Sequence, residues 1–72
     1  MGERDLVNNV RMHRAVRGLT QAELAGLAGI TRASVNAIEG SRMVPSVLLA
    51  LKLAQALGVS VDELFELPDR PA

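Results

Sequence analysis

Residues 20–40, TQAELAGLAGITRASVNAIEG, decide the fold, because they contain the signals for two short helices joined by a tight turn. Thr20 and Thr31 are each followed by good helix formers, so each can accept a backbone hydrogen bond as a helix N-cap. Thr20 also begins a capping-box pattern, in which a glutamate three residues later reaches back to the cap. We therefore predict helices over residues 21–28 and 32–39.

The turn between these two helices is marked by Gly29, which can adopt the positive φ angle that a sharp helix exit requires. Ala25 lies one turn earlier and carries only a methyl group, so the second helix can cross close to it. Val35 and Ile38 are three residues apart on that second helix and can both point back into this contact. The spacing is typical of a helix-turn-helix unit.

Signals for three more helices flank this unit. Apolar residues at helical spacing predict a first helix over residues 6–17, although residues 4–7 could instead form a short edge strand. A Pro-Ser pair and a capping-box pattern at Ser60 predict a fourth and a fifth helix. Their ranges are 46–57 and 61–66. The chain is therefore expected to be a single all-α domain, residues 1–72, with five helices.

The expected inner face of the first helix contains one polar residue, His13. A half-buried, hydrogen-bonded histidine is the simpler interpretation. The alternative is a packing defect that weakens the fold as the pH falls through the titration of the imidazole.

Composition narrows the class of protein. A domain of 72 residues seldom gains more than about 3–5 kcal/mol from its core, and without cysteine it cannot be stabilised by disulfides, so we expect oligomerisation. The residues contain no catalytic set, no phosphate-binding glycine loop and no metal-ligand cluster, which predicts a protein that is not an enzyme and needs no cofactor or metal. Neither a membrane span nor a leader peptide is recognisable, so a soluble, cytoplasmic protein is expected.

The charge is unevenly distributed, although the formal net charge is zero. Residues 11–42 contain five arginines and two glutamates, whereas residues 53–72 contain one arginine and four acidic residues. One part of the chain is therefore basic and the other acidic, which suits a protein that turns one side toward a polyanion. Ordinary solvated faces are the alternative interpretation.

Together these features resemble the Cro and phage-repressor type of helix-turn-helix family, whose fold is called lambda-repressor-like. The resemblance covers about residues 8–67. It is carried by Arg14, Gly18-Leu19-Thr20-Gln21, Glu23-Leu24-Ala25, Gly29, Ile38-Glu39, Pro45-Ser46 and Leu57-Gly58-Val59-Ser60. It implies a compact domain with five helices that binds double-stranded DNA, and an ion pair between Arg14 and Glu39. Alternatively, Arg14 could reach a DNA phosphate.

In this family the second helix of the motif, the recognition helix, enters the major groove. If Val35 and Ile38 face inward, the residues left to read base edges are Arg32, Ala33, Asn36 and Ala37. The guanidinium of arginine can bond guanine, the amide of asparagine can pair with adenine, and the methyl groups of the alanines can touch thymine. Contacts to the DNA backbone are expected from Gln21, Thr31, Ser41 and Arg42.

The fourth helix has more apolar residues than one buried face can use, since nine of residues 47–57 are apolar. We expect Val47, Ala50, Ala54 and Leu57 to face the core, and Leu48, Leu51 and either Leu49 or Leu53 to face elsewhere. A two-fold dimer through the fourth and fifth helices would use this surplus. Its expected interface residues are Leu48, Leu51, Leu64 and Phe65.

The sequence therefore predicts a DNA-binding transcriptional regulator, acting as a homodimeric repressor at a palindromic operator with half-sites about 34 Å apart. The alternative is an antitoxin-like or bridging protein, whose main partner is another protein. In that case Met43, Val44 and Leu48 would form the contact surface.

Overall fold

The computed structural model describes residues 6–68, and within that range it contains five helices and one pair of two-residue strands. In chain order the elements are β1 (Val7–Asn8), α1 (Val10–Val16), α2 (Gln21–Ala28), α3 (Arg32–Glu39), α4 (Val47–Leu57), α5 (Val61–Leu64) and β2 (Phe65–Glu66). The five-helix fold with a helix-turn-helix at α2 and α3 is thus confirmed. Residues 1–5 and 69–72 of the predicted domain, including part of the alternative edge strand, lie outside the described residues.

The N-caps form as their residue types predict. The Thr20 hydroxyl accepts from the backbone N–H of Glu23 at 3.0 Å, and the Glu23 carboxylate accepts from the Thr20 N–H at 2.8 Å. The Thr31 hydroxyl accepts from the Ser34 N–H at 3.0 Å. These bonds satisfy donors that have no partner within the first turn, and so they determine where α2 and α3 begin.

The turn between α2 and α3 depends on Gly29, which has φ +71° and ψ +34°. The next residue, Ile30, donates its backbone N–H to the carbonyl of Ala25 at 3.0 Å, which closes the end of α2. Ala25 itself is 5% exposed, so the small side chain lies within the helix contact as the sequence predicts.

The core lies where α2, α3, α4 and α5 meet the start of α1. Its buried members are Val10, Leu24, Ala25, Ala28, Val35, Ile38, Leu53, Ala54, Leu57 and Leu64. The apolar residues just before three of the N-caps pack against its edge, namely Leu19, Ile30 and Val59. His13 is half-buried.

The predicted ends of the first and fifth helices are wrong by several residues. Helix α1 begins at Val10 rather than at residue 6, and α5 ends at Leu64 rather than at residue 66. Of the residues that these helices lose, Val7–Asn8 and Phe65–Glu66 form the antiparallel pair β1–β2, with Asn8 opposite Phe65. A pairing between positions so far apart in the chain overrides the helical spacing of the apolar residues. Helix α4 also begins one residue later than predicted, because Ser46 is its N-cap.

On α4 the structure contradicts the prediction for Val47 and decides between the two alternatives Leu49 and Leu53. Leu53 is fully buried, whereas Val47 is 76% exposed. The buried stripe is Ala50, Leu53, Ala54 and Leu57, which follows the three-and-four spacing of a single helix face. Val47 continues that stripe by spacing, but it lies in the first turn, beyond the packed part of the helix.

Candidate nucleic-acid interface

Helix α3 has a buried face and an outward face, which follow from its periodicity of 3.6 residues per turn. Val35 and Ile38 are at most 1% exposed, and both belong to the core. Arg32, Ala33 and Asn36 are exposed on the other side, and Ala37 is half-buried. The structure thus brings the four predicted base-reading residues to one side of α3, which is a convex ridge with one guanidinium, one amide and two methyl groups.

Three side chains form a row of hydrogen bonds along this ridge, and we call them the polar row: Gln21, Asn36 and Arg42. Arg42 donates to the Asn36 Oδ1. Asn36 Nδ2 donates to the Gln21 Oε1 at 3.3 Å. The row joins the start of α2 to the loop after α3, so these polar groups lie side by side although they are up to 21 residues apart in the chain.

The other two predicted backbone-contacting residues stand at the ends of α3. Thr31 is exposed, but its hydroxyl accepts from the Ser34 N–H and donates to the Ser34 hydroxyl at 2.9 Å, so a phosphate would have to replace an existing bond. Ser41 is exposed and has φ +59°. The role of each residue in DNA contact stays a prediction.

Behind the ridge lies the ion pair between Arg14 and Glu39. Arg14 Nε donates to Glu39 Oε2 at 2.7 Å and Arg14 Nη2 donates to Oε1 at 3.0 Å, so the pair is bidentate. The glutamate side chain is fully shielded from solvent and the arginine side chain is 17% exposed. Arg14 also donates to the carbonyl of Leu19 at 2.9 Å. The guanidinium therefore ties α1 to the end of α3 and to the loop before α2.

The carboxylate of Glu39 stays charged in this site. Burial alone would raise its pKa, but the hydrogen bonds from Arg14 and Gln21 and the positive charge of Arg14 outweigh that effect, so the pKa lies below its ordinary value. Hydrogen bonding to Glu39 in turn raises the pKa of Arg14. Gln21 contributes through a bond from Nε2 to Glu39 Oε1 of 3.0 Å. The polar row is thus attached to the ion pair.

Two residues at this site escaped the sequence prediction. Asn8 donates from Nδ2 to the carbonyl of Ile38 at 3.0 Å, at the end of α3. Arg11 places its Nε 3.6 Å from Glu39 Oε1, and its side chain is 72% exposed. The signal for Arg11 was its position one turn before Arg14 on a helix, whereas Asn8 has no sequence signal because its partner is 30 residues away.

A second exposed surface lies on α4, and we call it the apolar face: Val47, Leu48 and Leu51. They are 76%, 61% and 53% exposed. The predicted interface residues Leu48 and Leu51 are therefore accessible, but the prediction for Leu64 is wrong, because Leu64 is fully buried in the core. Phe65 is half-buried and belongs to β2.

Within residues 6–68, acidic and histidine side chains do not gather in any group of three or more that could hold a metal ion. No helix in that range is long and apolar enough to cross a membrane.

Comparison with known protein families places the match over the whole helical region. The model of the helix-turn-helix family matches residues 10–64. An HTH-type transcriptional regulator of Methanocaldococcus jannaschii is 38% identical over 58 residues, which cover 81% of this chain and 88% of the relative. YgzD, an HTH-type transcriptional regulator of Bacillus subtilis, is 40% identical over 62 residues, 86% of this chain and 94% of YgzD.

Solved structures agree with the sequence matches. The restriction-modification controller protein C.AhdI from Aeromonas hydrophila superposes with a TM-score of 0.76 and 38% identity, over 79% of this chain and 86% of C.AhdI. The clp gene regulator ClgR from C. glutamicum has a TM-score of 0.70 and 31% identity, over 75% of this chain and 70% of ClgR. The similarity therefore extends through the full set of helices and is not confined to α2 and α3.

Proposed function

Because the chain belongs to the helix-turn-helix family of DNA-binding transcriptional regulators, we propose that it represses transcription as a homodimer bound to a palindromic operator. The observation that carries this proposal is the division of α3 into a buried face and an exposed ridge. A convex ridge one helix wide fits the major groove, which is about 12 Å across. This function also implies a cytoplasmic location.

We assign direct readout to two side chains of the ridge. The Arg32 guanidinium is exposed and can donate two bonds to guanine O6 and N7, while the Asn36 amide can both donate to and accept from adenine. Ala33 and Ala37 offer only methyl groups, which suit contact with thymine methyls. Because only two polar readers are present, sequence-dependent DNA shape is expected to contribute to recognition.

Contacts to the phosphates come from both ends of the ridge. Gln21 occupies the first position of α2, where backbone N–H groups and the positive end of the helix dipole favour an anion. Arg42 and Ser41 lie in the loop that follows α3, and Thr31 lies directly before α3. These contacts would position the ridge in the groove and carry no base information themselves.

Dimerisation follows from the size of one ridge. A single helix reads only a few base pairs, so useful specificity requires two copies at a fixed separation, about one turn of DNA. The apolar face of α4 is exposed in one chain and would be covered in a two-fold dimer, with Leu48 and Leu51 at its centre. Phe65 stays a predicted contributor at the margin of this interface.

Selection of random DNA duplexes on the purified protein tests the proposal. We expect a palindrome, and affinity that falls linearly with the logarithm of salt concentration. Arg32→Ala should lower affinity for the selected site by about 1–3 kcal/mol and abolish the preference at one base pair in each half-site, whereas Arg42→Ala should weaken binding to every sequence and keep the preference at that base pair.

Arg32→Lys is the matched control, because it keeps the positive charge but removes the planar fork. The base preference should be weaker than in the wild type but stronger than in Arg32→Ala, because an ammonium group can still donate to guanine, while binding to unrelated DNA should stay near the wild-type value. If DNA binding is insensitive to changes at both Arg32 and Arg42, the chain does not read DNA through α3.

The apolar face also favours a second candidate, an antitoxin-like or bridging protein that uses this surface to hold a different protein. Leu48 and Val44 are exposed, whereas Met43 is packed against the core and has less surface to offer. Light scattering at micromolar concentration separates the two. A dimeric mass supports the regulator, and a monomeric mass favours a different partner for this face.

A further inference from the structure

The polar row continues into the ion pair, so that one uninterrupted chain of hydrogen bonds runs from Glu39 through Gln21 and Asn36 to Arg42. Its links are Gln21 Nε2 to Glu39 Oε1 at 3.0 Å, Asn36 Nδ2 to Gln21 Oε1 at 3.3 Å, and Arg42 to Asn36 Oδ1. Two of the four residues are amides, whose oxygen and nitrogen could exchange places by a half-turn of the side chain.

The chemistry of the two ends removes that freedom. An ionised carboxylate can only accept hydrogen bonds and a guanidinium can only donate them. Glu39 is held in its charged form by Arg14, so Gln21 must turn its NH₂ group toward Glu39 and its oxygen toward α3. That oxygen then receives the NH₂ group of Asn36. The amide oxygen of Asn36 then faces Arg42, as it must, because the guanidinium can only donate.

We propose that Glu39, Gln21 and Arg42 are positioning residues that fix the direction of the Asn36 amide, so that it presents one donor–acceptor order to the major groove. This inference rests on the proposed function. Adenine offers its acceptor N7 and its donor N6 at different places along the groove edge. An amide held in one direction meets that order without first having to turn, whereas a freely turning amide presents the mismatched order for part of the time.

The Asn36 amide keeps hydrogen-bonding groups for DNA while it takes part in these bonds. The Nδ2 group uses one of its two hydrogens on Gln21, and Oδ1 has a second lone pair beyond the one that Arg42 occupies. The side chain is exposed, so the second hydrogen of Nδ2 and the second lone pair of Oδ1 are accessible to a base edge. The hydrogen bonds with Gln21 and Arg42 therefore orient the amide and still leave it able to bind a base.

Gly40 supplies independent support for the position of Arg42. A Cβ atom added at Gly40 would lie 2.5 Å from Arg42 Nη1 and 3.2 Å from Arg42 Cζ. The backbone there has φ −86°, a conformation open to alanine. The absence of a side chain at position 40 thus leaves the space through which the guanidinium reaches Asn36, and Gly40→Ala would push the guanidinium away without changing a polar group.

The test compares base preferences in Gln21→Met and Gly40→Ala with those in the wild type. Asn36→Ala first identifies the base pair that depends on Asn36. We expect the preference at that pair, about 5- to 150-fold for a good bidentate contact, to fall by about twofold or more in both variants, because an amide with two accessible orientations is competent about half of the time, while preference at the pair read by Arg32 is kept. A phosphate contact or a structural role alone would weaken all sequences by a common factor and leave the preference at the Asn36-dependent pair unchanged.

A matched control and a readout in the absence of DNA complete the experiment. Gly26→Ala makes the same glycine-to-alanine change at an exposed position of α2, where the added Cβ meets nothing within 4 Å. It should leave the preference at every base pair unchanged. In the free protein, nuclear magnetic resonance should show faster solvent exchange of the Asn36 side-chain NH₂ protons in Gln21→Met than in the wild type.

The outcomes separate this inference from the proposed function. A wild type that selects an operator, together with unchanged Asn36-dependent preference in Gln21→Met and Gly40→Ala, overturns the positioning role and leaves the DNA-reading function standing. A wild type without any base preference overturns both. Loss confined to the Asn36-dependent base pair, accompanied by faster exchange in the free protein, establishes the positioning role.

Discussion

Replacing Arg14 with methionine removes both hydrogen bonds that it makes to a carboxylate with no exposed surface. Breaking a buried pair by removing one partner typically costs about 3–5 kcal/mol. Two groups can still stabilise the Glu39 charge, namely Gln21 at 3.0 Å and Arg11 at 3.6 Å, and water is close in a domain this small. We therefore expect the lower value of about 2–3 kcal/mol.

That loss is a large part of the total, because a domain of this size is stabilised by only about 3–5 kcal/mol. The double variant Arg14→Met/Glu39→Met should recover to within about 1 kcal/mol of the wild type, since it leaves no buried charge unpaired and replaces the ion pair with apolar contacts. Arg11→Met is the matched control on the same helix. Its side chain is 72% exposed, so it should cost no more than about 0.5 kcal/mol.

Urea denaturation followed by circular dichroism at 222 nm, at pH 7 and one fixed protein concentration, measures all four proteins. Fixed concentration is needed because the proposed dimer would stabilise the folded state by mass action. The reasoning is refuted if Arg14→Met unfolds at the wild-type urea concentration, or if the double variant is no more stable than Arg14→Met.

Three further outcomes are expected. Because the pKa of Glu39 is lowered in the folded state, its contribution to stability is complete above the ordinary pKa of about 4.5 and is lost as the pH falls through the folded pKa. Acid titration of Glu39→Gln should therefore show a shallower loss of stability than acid titration of the wild type. Glu63 should account for part of the remaining slope, because its bonds to Ser60 also lower its pKa. Urea denaturation should assign about 2–5 kcal/mol to Leu53→Ala and less than about 0.5 kcal/mol to Val47→Ala; similar costs would mean that α4 is rotated from the orientation described above. Leu48→Glu should give a monomeric mass in light scattering with an unchanged helical spectrum, and a persistent dimer would exclude the apolar face of α4 as the interface.

The parts of the fold that sequence reasoning predicted correctly are those whose determinants lie within about one helical turn. Thr20 and Thr31 begin α2 and α3 through bonds to residues three positions later, and Gly29 turns the chain through its own φ angle. The burial of Val35 and Ile38 follows from the same local spacing. Local hydrogen bonds and dihedral angles require no knowledge of the rest of the molecule, so they can be deduced from neighbouring residues alone.

The errors concern residues whose environment is set by distant parts of the chain. Asn8 pairs with Phe65 rather than entering a helix, Leu64 fills the core rather than an interface, and Leu53 rather than Val47 occupies the centre of α4's buried face. In each case two orientations satisfy the local pattern equally well. The choice between them depends on which neighbour covers the side chain.

By itself, the sequence determined the helix-turn-helix, the helix starts and the outward residues of α3, because caps, a turn glycine and helical spacing act over a few residues. Only the tertiary structure decided what Asn36 faces. Its amide lies between Gln21, 15 residues before it, and Arg42, six residues after it, in a chain of bonds that begins at the buried carboxylate of Glu39. Donor and acceptor order along such a chain depends on which side chains packing brings together, and no local pattern of residues specifies it.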